Sequence, residues 1–195
     1  MKLFYFNFRG RGEMIRLLLK LAGAEFEDIR VTQEEWKTLK AEMPNNQMPV
    51  LQLDDGRRYT QSTAILTYLA KENGLYGNNN LERLQIDQIL ELILDYWRTY
   101  VEAFYHQDPA TKLTLTASLG QVHIPAMLTS LESLLKENGS GFFTGSISAA
   151  DIAVFSVIED MTDISLYPKL QNLKHKVEST PAIHDYLTTR PITAL

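Results

Sequence analysis

The sequence has no cysteine among its 195 residues, which excludes disulfides, thiolate metal sites and a thiol nucleophile of the chain's own. It has no run of about 18 apolar residues, so we expect no membrane span. The amino-terminal residues lack a signal peptide's long apolar region and small-residue cleavage site. We therefore expect a cytoplasmic protein in which any thiol chemistry depends on a bound cosubstrate.

Positive charge is also scarce, because 19 Lys and Arg residues face 24 Asp and Glu residues, for a net charge of −5. A nucleic-acid partner is not expected, since it would require a basic face. The histidines have no metal-ligand spacing, so no metal site is expected. The apolar fraction of 45% suits one or two compact domains with an ordinary core. The histidines are His106, His123, His175 and His184.

The remaining elements are arranged around one stretch, residues 47–69. Residues 50–53 are β-prone, and Asp54-Asp55-Gly56 is a strong hairpin turn because glycine accepts a positive φ. Residues 57–60 return as a second strand, and helical spacing of apolar residues follows. Residues 61–63 therefore lie at a strand-to-helix junction. Free backbone N–H groups and the positive end of the helix dipole predict an anion site there.

Pro49 begins the first strand of this stretch, which suits a residue without an N–H. A cis bond after Met48 would turn the Met48 backbone outward, leaving its N–H and C=O for an extended peptide. The residues alone favour a trans bond, because only about one X–Pro bond in twenty is cis.

The predicted order of elements before residue 73 is βαβαββα, a small α/β unit with a mixed sheet. Thr32 followed by Glu35 predicts a capping box for a short helix. Ahead of the central stretch, we predict strands at 3–6 and 27–31, a loop at 7–12 and a helix at 13–22.

Beyond this unit the apolar period is helical, so the fold class is α/β followed by all-α. The glycines and asparagines at 73–80 form the one convincing linker. We predict a first domain at 1–76, a linker at 77–81 and an all-helical domain at 82–195. Helices are predicted at 84–105, at 116–138 with a kink at Pro125, at 152–161 in the domain centre after a capping box at 148–151, and from Pro168 and Pro181.

Several local sequence patterns that could indicate a nucleotide-binding or catalytic site do not meet the requirements of such a site. Gly10-Arg11-Gly12 fails the dinucleotide fingerprint, because Ile15 stands where the third glycine is required. Solvated arginines are the commoner explanation of this loop. No Ser/His/Asp grouping or phosphate-binding loop is visible.

In combination, these features resemble the cytosolic glutathione S-transferases, within them the sigma class and its nematode relatives, over essentially the whole chain. The resemblance implies a thioredoxin-like amino-terminal domain, an all-helical carboxy-terminal domain, a homodimer and glutathione as cosubstrate. It also implies that the Met48–Pro49 bond is cis. The motifs that carry it are Tyr5 to Glu13, Trp36 with Lys40, Met48 to Leu51, Gln61-Ser62, and Ser148 to Asp151.

The resemblance assigns roles to individual residues. Tyr5 is the implied catalytic residue, whose hydroxyl donates a hydrogen bond to the glutathione sulfur, and Arg11 adds positive potential nearby. The implied glutathione contacts are Trp36 and Lys40 to the glycyl carboxylate, Met48 before Pro49 to the cysteinyl backbone, Gln61 and Ser62 to the γ-glutamyl carboxylate, and Asp95 of the partner subunit to the γ-glutamyl amine.

The sequence departs from the family pattern at several positions. Arg11, Asn46 and Gln47 are also implied glutathione contacts. Asn46 and Gln47 stand where relatives often carry lysine, so one charged contact to glutathione is missing from this pair. Glu102 and Ala153 replace the tryptophan and tyrosine of the prostaglandin-isomerising member, and Leu94 replaces the first aspartate of its metal-linked pair. These departures argue against specific prostaglandin synthesis and metal activation.

The expected activity is conjugation of glutathione to small hydrophobic electrophiles, with reduction of organic hydroperoxides as a further possibility. The implied electrophile pocket consists of Phe6, Phe8 and Arg11, with parts of the helix at 96–105. The alternatives are a glutathione-dependent prostaglandin-type isomerase and a non-catalytic ligand-binding or crystallin-like protein. Retention of five of the implied glutathione-site residues argues against the last of these, namely Tyr5, Arg11, Trp36, Gln61 and Ser62.

Overall fold

The computed structural model describes residues 1–159, 161 and 163–193. The chain forms two compact units, one of residues 1–76 with the segment from Val177 onward, and one of residues 77–176. The carboxy-terminal segment joins the first unit because its helix packs against the first helix of the chain. The division at 77–81 into sequence domains stays a prediction.

The first unit is built on a mixed sheet with the strand order β2-β1-β3-β4. Strand β1 pairs parallel with β2 and antiparallel with β3, and β3 pairs antiparallel with β4. The predicted βαβαββα order and thioredoxin-like fold are confirmed. The strands are β1 Lys2–Phe6, β2 Glu27–Val31, β3 Val50–Gln52 and β4 Arg58–Thr60, and the helices are α1 Gly10–Leu21, α2 Gln33–Leu39 and α3 Ser62–Glu72.

Local chemistry explains where these elements begin and end. Helix α1 begins at Gly10 and not at Glu13 as predicted, because the Glu13 N–H already donates to the Arg9 carbonyl at 3.0 Å. The capping box of α2 is confirmed, since the Thr32 N–H donates to the Glu35 carboxylate at 2.7 Å. Each of these two helices therefore starts where a backbone N–H after the preceding strand finds a local acceptor.

The Met48–Pro49 peptide bond is cis. The family resemblance predicted this correctly, whereas the base rate for X–Pro bonds predicted a trans bond. The predicted hairpin that follows is present, with Gly56 at a positive φ of 86°. Strand β3, the first of this hairpin, ends one residue earlier than predicted, because the Leu53 N–H donates to the Arg57 carbonyl and closes the turn.

The second unit is helical throughout its regular elements. The helix predicted at 116–138 starts instead near Pro109, where the Asp108 side chain accepts from the Thr111 N–H at 2.8 Å. A π-helical segment at Leu119–His123 precedes Pro125, which lies in the first turn of the next helix, a position that tolerates a residue without an N–H. The helices are α4 Asn80–Tyr105, α5 Pro109–Ser118, α6 Ile124–Asn138, α7 Ala149–Ile158, α8 Pro168–Glu178, which continues into the first unit, and α9 Pro181–Thr189 of the first unit.

Helix α7 is buried along nearly its whole length, as the prediction of a central helix required, although it ends at Ile158 and not at Met161. The Asp151 carboxylate secures its amino-terminal end. It accepts hydrogen bonds from the Ser148 N–H at 2.8 Å, the Ser148 hydroxyl at 2.7 Å and the Phe143 N–H at 3.0 Å. Burial raises the pKa of Asp151 to about 6, and these hydrogen bonds oppose that rise.

Among the described residues, no helix combines the length and the apolar character that crossing a bilayer would require.

The raised pKa of Asp151 predicts a specific dependence of stability on pH. The folded chain holds this proton more tightly than the unfolded chain, so the stabilisation is complete below about pH 4 and is lost as the pH rises through about 6. Replacement of Asp151→Asn removes this titration. We expect the unfolding free energy of the wild type, minus that of the variant, to fall by about 3 kcal/mol over the whole titration, of which about 2 kcal/mol falls between pH 4 and 6. Urea denaturation across this range measures it, and a difference independent of pH would contradict it.

Candidate active site

A cleft in the first unit lies beside the carboxyl end of β1, the start of β3 and the first turn of α3. Seven of its lining residues belong to the predicted glutathione set, and the eighth, Phe6, belongs to the predicted electrophile pocket. The lining residues are Phe6, Arg11, Trp36, Gln47, Met48, Pro49, Gln61 and Ser62.

Tyr5 lies next to this cleft at the end of β1, with only 4% of its surface exposed. Its hydroxyl oxygen accepts a hydrogen bond from the backbone N–H of Arg11 at 3.1 Å. Because that oxygen is the acceptor, the hydroxyl proton remains free to be donated to another group. Burial raises the pKa of Tyr5, and the Arg11 charge and N–H offset only part of the rise. Tyr5 is therefore a neutral donor at physiological pH.

Two glycines allow the Tyr5 ring to lie against the start of α1. A Cβ atom at Gly12 would lie 2.3 Å from Cδ1 of the Tyr5 ring, and one at Gly10 would lie 2.7 Å from the Tyr5 hydroxyl. Gly10 also has a φ of +43°, which side-chain-bearing residues rarely adopt. The dinucleotide interpretation of this loop was rightly rejected, but the sequence analysis missed why the glycines are there.

The junction before α3 has the features of the predicted anion site. Gln61 has a φ of 74°, an uncommon conformation for a residue with a side chain, and such strain clusters at ligand sites. Its side-chain amide donates to the Gln47 side chain at 3.4 Å, so two predicted glutathione contacts are in contact with each other. Ser62 is the first residue of α3 and is buried. The unpaired N–H groups of this first helical turn favour an anion.

The backbone of Met48 is available for pairing, because its N–H and C=O make no backbone hydrogen bond among the described residues. An extended peptide could form both bonds there, as an added strand does at a sheet edge. Trp36 is half-buried and packs against Phe6, with the two ring centroids 5.6 Å apart in an edge-to-face arrangement.

An aromatic cluster forms the apolar wall beside Tyr5. Phe6 and Phe8 are stacked with centroids 5.2 Å apart, and the Tyr5 ring contacts them edge-on at 5.8 and 5.5 Å. Both phenylalanines are only partly buried, so this wall offers apolar surface next to the phenol.

Some predicted site residues do not line the cleft. Lys40 is exposed just after α2, and Asn46 is exposed with a φ of 52°. Asp95 belongs to the second unit, where its exposed carboxylate accepts from Arg98 at 2.9 Å. The roles predicted for these three residues stay predictions.

Helix α1 carries a buried charged pair, Glu13 and Arg16, that was not predicted from the sequence. Arg16 is fully buried, and its guanidinium donates to the carbonyls of Phe8 at 3.0 Å and Phe6 at 3.3 Å. Glu13, three residues earlier, is 1% exposed. The available signal was two opposite charges at helical spacing within a segment that is otherwise apolar from residue 14 to 19.

Among the described residues, no group of three or more His, Asp or Glu side chains is arranged to hold a metal ion.

Comparison with known proteins gives matches over most of the chain. Residues 1–71 match the family described as glutathione S-transferase, N-terminal domain, and residues 94–190 match glutathione S-transferase, C-terminal domain. A glutathione S-transferase of Anopheles gambiae is 34% identical over 98% of this chain and 97% of its own. S-crystallin SL11 of Nototodarus sloanii is 32% identical with the same coverage. The structure of prostaglandin synthase D of Nilaparvata lugens superimposes with a TM-score of 0.91 and 36% identity, covering 98% of both chains.

The contact between Gly12 and Tyr5 predicts a strong effect of a single methyl group. Replacement of Gly12→Ala would place Cβ within 2.3 Å of the Tyr5 ring, so the ring or the first turn of α1 must move. We expect a loss of about 1–3 kcal/mol in unfolding free energy from overpacking. Denaturant titration measures the loss.

The matched control is Gly120→Ala, because a Cβ atom there meets nothing within 4 Å and the position is helical. That variant should be neutral or slightly stabilised, since alanine favours a helix over glycine. Equal effects of the two substitutions would refute the proposed role of Gly12.

Proposed function

Because the chain belongs to the glutathione S-transferase family, we propose that it is an enzyme that activates the thiol of glutathione for attack on electrophilic substrates. The thiol loses its proton to solvent, the resulting thiolate forms the new bond to an electrophilic carbon, and the leaving group departs with the displaced electron pair. The observation that carries this proposal is the neutral Tyr5 phenol, whose oxygen accepts from the Arg11 N–H and whose proton is free beside the cleft.

The energetic demand on Tyr5 is modest. A free thiol has a pKa of about 8.5, so little of it is ionised at neutral pH. Lowering this value by about two units requires roughly 2.7 kcal/mol of preference for the thiolate. A hydrogen bond to a charged acceptor contributes roughly 1.5–3 kcal/mol. The positive end of α1 and the Arg11 side chain at the cleft wall would add to it.

The cleft suits an acidic tripeptide in extended conformation. In the proposed complex, the free Met48 backbone groups pair with the cysteinyl part, which presents the sulfur to Tyr5. Gln61 and Ser62 at the start of α3 hold the γ-glutamyl carboxylate. Trp36 lines the same cleft, and Lys40 would supply the positive charge for the glycyl carboxylate.

We further propose a cytoplasmic homodimer in which each site is completed by the other subunit. Proteins of this family commonly form dimers. Asp95 of the partner subunit would then meet the γ-glutamyl amine of glutathione. Within the described part of the chain, the Asp95 carboxylate pairs with the exposed Arg98, three residues away, and such a surface pair costs little to exchange for another cation.

The electrophile is proposed to be small and hydrophobic, because the surface next to Tyr5 is the aromatic wall of Phe6 and Phe8, with Arg11 contributing the only charge in this set. Reduction of organic hydroperoxides would use the same thiolate.

A second candidate function is favoured by the similarity to the prostaglandin synthase D of Nilaparvata lugens. This second function is the glutathione-dependent, prostaglandin-type isomerisation, which would also require a glutathione thiolate at Tyr5. However, Glu102 is exposed on α4 and Ala153 is fully buried in α7, so neither residue supplies an aromatic wall. The similarity to an S-crystallin also suggests a non-catalytic role as an alternative. A non-catalytic protein would not require the Tyr5 phenol or the cleft beside it. Assays with an aryl halide and with prostaglandin H2 separate the first two functions.

Replacement of Tyr5→Phe removes the proposed hydrogen bond to sulfur and leaves the rest of the cleft intact. We expect kcat to fall by about ten- to a hundredfold, because the lost donor is worth roughly 1.5–3 kcal/mol in the ionised state. Retention on immobilised glutathione should be preserved, since the other contacts remain.

The matched control is Tyr59→Phe, at a half-exposed tyrosine of β4 outside the cleft lining. Its activity should equal that of the wild type. Unchanged turnover of the Tyr5 variant would contradict the role of the phenol, and failure of the wild type to bind glutathione would contradict the whole proposal.

The raised pKa of Tyr5 predicts the shape of the pH profile. The reactive species is the thiolate, so kcat/KM for the electrophile at saturating glutathione should rise with pH up to the pKa of the bound thiol and then level off. Tyr5 should cause no alkaline decline below about pH 10, because burial keeps its phenol protonated beyond its usual range. Steady-state kinetics from pH 5.5 to 9.5 measure the profile. A bell-shaped curve with an alkaline limb that is absent in the Tyr5→Phe variant would contradict this prediction.

A further inference from the structure

Helix α9 at the end of the chain reaches a buried carboxylate on α1. The Glu13 carboxylate accepts hydrogen bonds from the Tyr186 hydroxyl at 3.0 Å and from the Arg190 guanidinium at 2.7 Å, both on one oxygen. Its other oxygen accepts from Arg16 at 3.3 Å. Glu13 is 1% exposed and Arg16 is 0% exposed, so this cluster is shielded from water.

Arg16 connects the cluster to the loop that follows Tyr5. Two of its nitrogens donate to the backbone carbonyls of Phe6 and Phe8, the residues on either side of Asn7. Its Nε donates to both carboxylate oxygens of Asp28 at 3.0 and 3.1 Å. The guanidinium carbon also lies 5.7 Å from the centre of the Tyr5 ring.

We propose that Glu13, clamped by Tyr186 of α9 and by Arg190 just after that helix, is a positioning residue that fixes the Tyr5 phenol through Arg16. This inference rests on the proposed function of Tyr5. Neither Glu13 nor the α9 residues line the cleft, so they would act on the reaction without contact to glutathione or to the electrophile.

The charges that face this cluster make the geometry sensitive to the loss of any one member. Glu13 faces Arg16, Tyr186 and Arg190, while Arg16 faces Glu13 and Asp28, and Asp28 also binds Arg30 at 2.8 Å. A buried charge that loses its partner must find another or be neutralised. Without the Glu13 charge, we expect Arg16 to shift towards Asp28 and to release the Phe6 and Phe8 carbonyls. The ring of Tyr5 then loses its fixed distance to the thiol.

Tyr186 acts in this cluster as a donor. Burial and the neighbouring Glu13 carboxylate raise the pKa of Tyr186 far above its usual range, so its hydroxyl stays protonated. A phenylalanine at this position keeps the ring and removes a single hydrogen bond. It is therefore the mildest change that tests the clamp.

The experiment compares Glu13→Gln and Tyr186→Phe with the wild type in the full-length chain. We expect kcat with an aryl halide to fall roughly tenfold or more in Glu13→Gln, because small displacements of a reacting group are costly. The KM for glutathione should stay within about twofold, as expected when only a transition-state interaction is lost. The pKa of the bound thiol, followed by thiolate absorbance against pH, should rise by about half a unit or more. Tyr186→Phe should change both quantities in the same direction by less.

Asp151→Asn is the matched control, because Asp151 is also a buried, multiply hydrogen-bonded acid but lies at the start of α7 in the second unit. It should lower stability and leave the thiol pKa unchanged. A shift as large as that of the Glu13 variant would show that general destabilisation explains the result and would overturn the inference. So would an unchanged thiol pKa in both folded clamp variants.

A second readout does not depend on glutathione. Tyrosine labelled with ¹³C at Cζ reports each phenol by NMR, and the Tyr5 signal is assigned by its loss in Tyr5→Phe. In the ligand-free protein, both clamp variants should shift the Tyr5 signal, whereas Asp151→Asn should not. If the wild type failed to bind glutathione, the proposed function would be wrong, while this spectrum would still decide whether the clamp positions Tyr5. An unmoved signal in both clamp variants would overturn the inference.

Discussion

The structure of the candidate site depends on one hydrogen bond, from the Arg11 backbone N–H to the Tyr5 hydroxyl oxygen. This bond fixes the phenol as an acceptor on one side and leaves its proton for the other. It forms only because α1 starts at once after the loop, with two glycines where side chains would collide with the ring. An α-helix that began three residues later, as the sequence pattern suggested, would not bring this N–H to the phenol.

The absence of cysteine gives the cleft its chemical meaning. A chain without thiols that presents a neutral phenol, a free strand-like backbone and a helix N-terminus in one unit is suited to a ligand that carries both a thiol and carboxylates. Each of these features is weak evidence alone, because buried tyrosines, cis-prolines and helix ends have ordinary structural explanations. Their convergence on one cleft and on Tyr5 beside it, together with membership of the family, supports a glutathione-dependent function.

Local chemistry made much of this predictable, and long-range contacts account for what was missed. The capping boxes at Thr32 and Ser148 and the hairpin at Gly56 follow from adjacent residues, and all three are present. The π-helical segment before Pro125 and the early start of α1 leave no mark on the spacing of apolar residues, so periodicity does not report them. The contact between Glu13 and Tyr186 joins residues 173 positions apart, so no sequence window contains it.

The most direct test of the central claim is a crystal structure of the wild-type protein with glutathione bound. The account predicts that the sulfur lies within hydrogen-bonding distance of the Tyr5 hydroxyl, while the Arg11 N–H still donates to that same oxygen. The cysteinyl backbone should pair with Met48. A complex in which the tripeptide occupies the cleft but its sulfur lies away from Tyr5, or in which the phenol has turned from the Arg11 N–H, would contradict it.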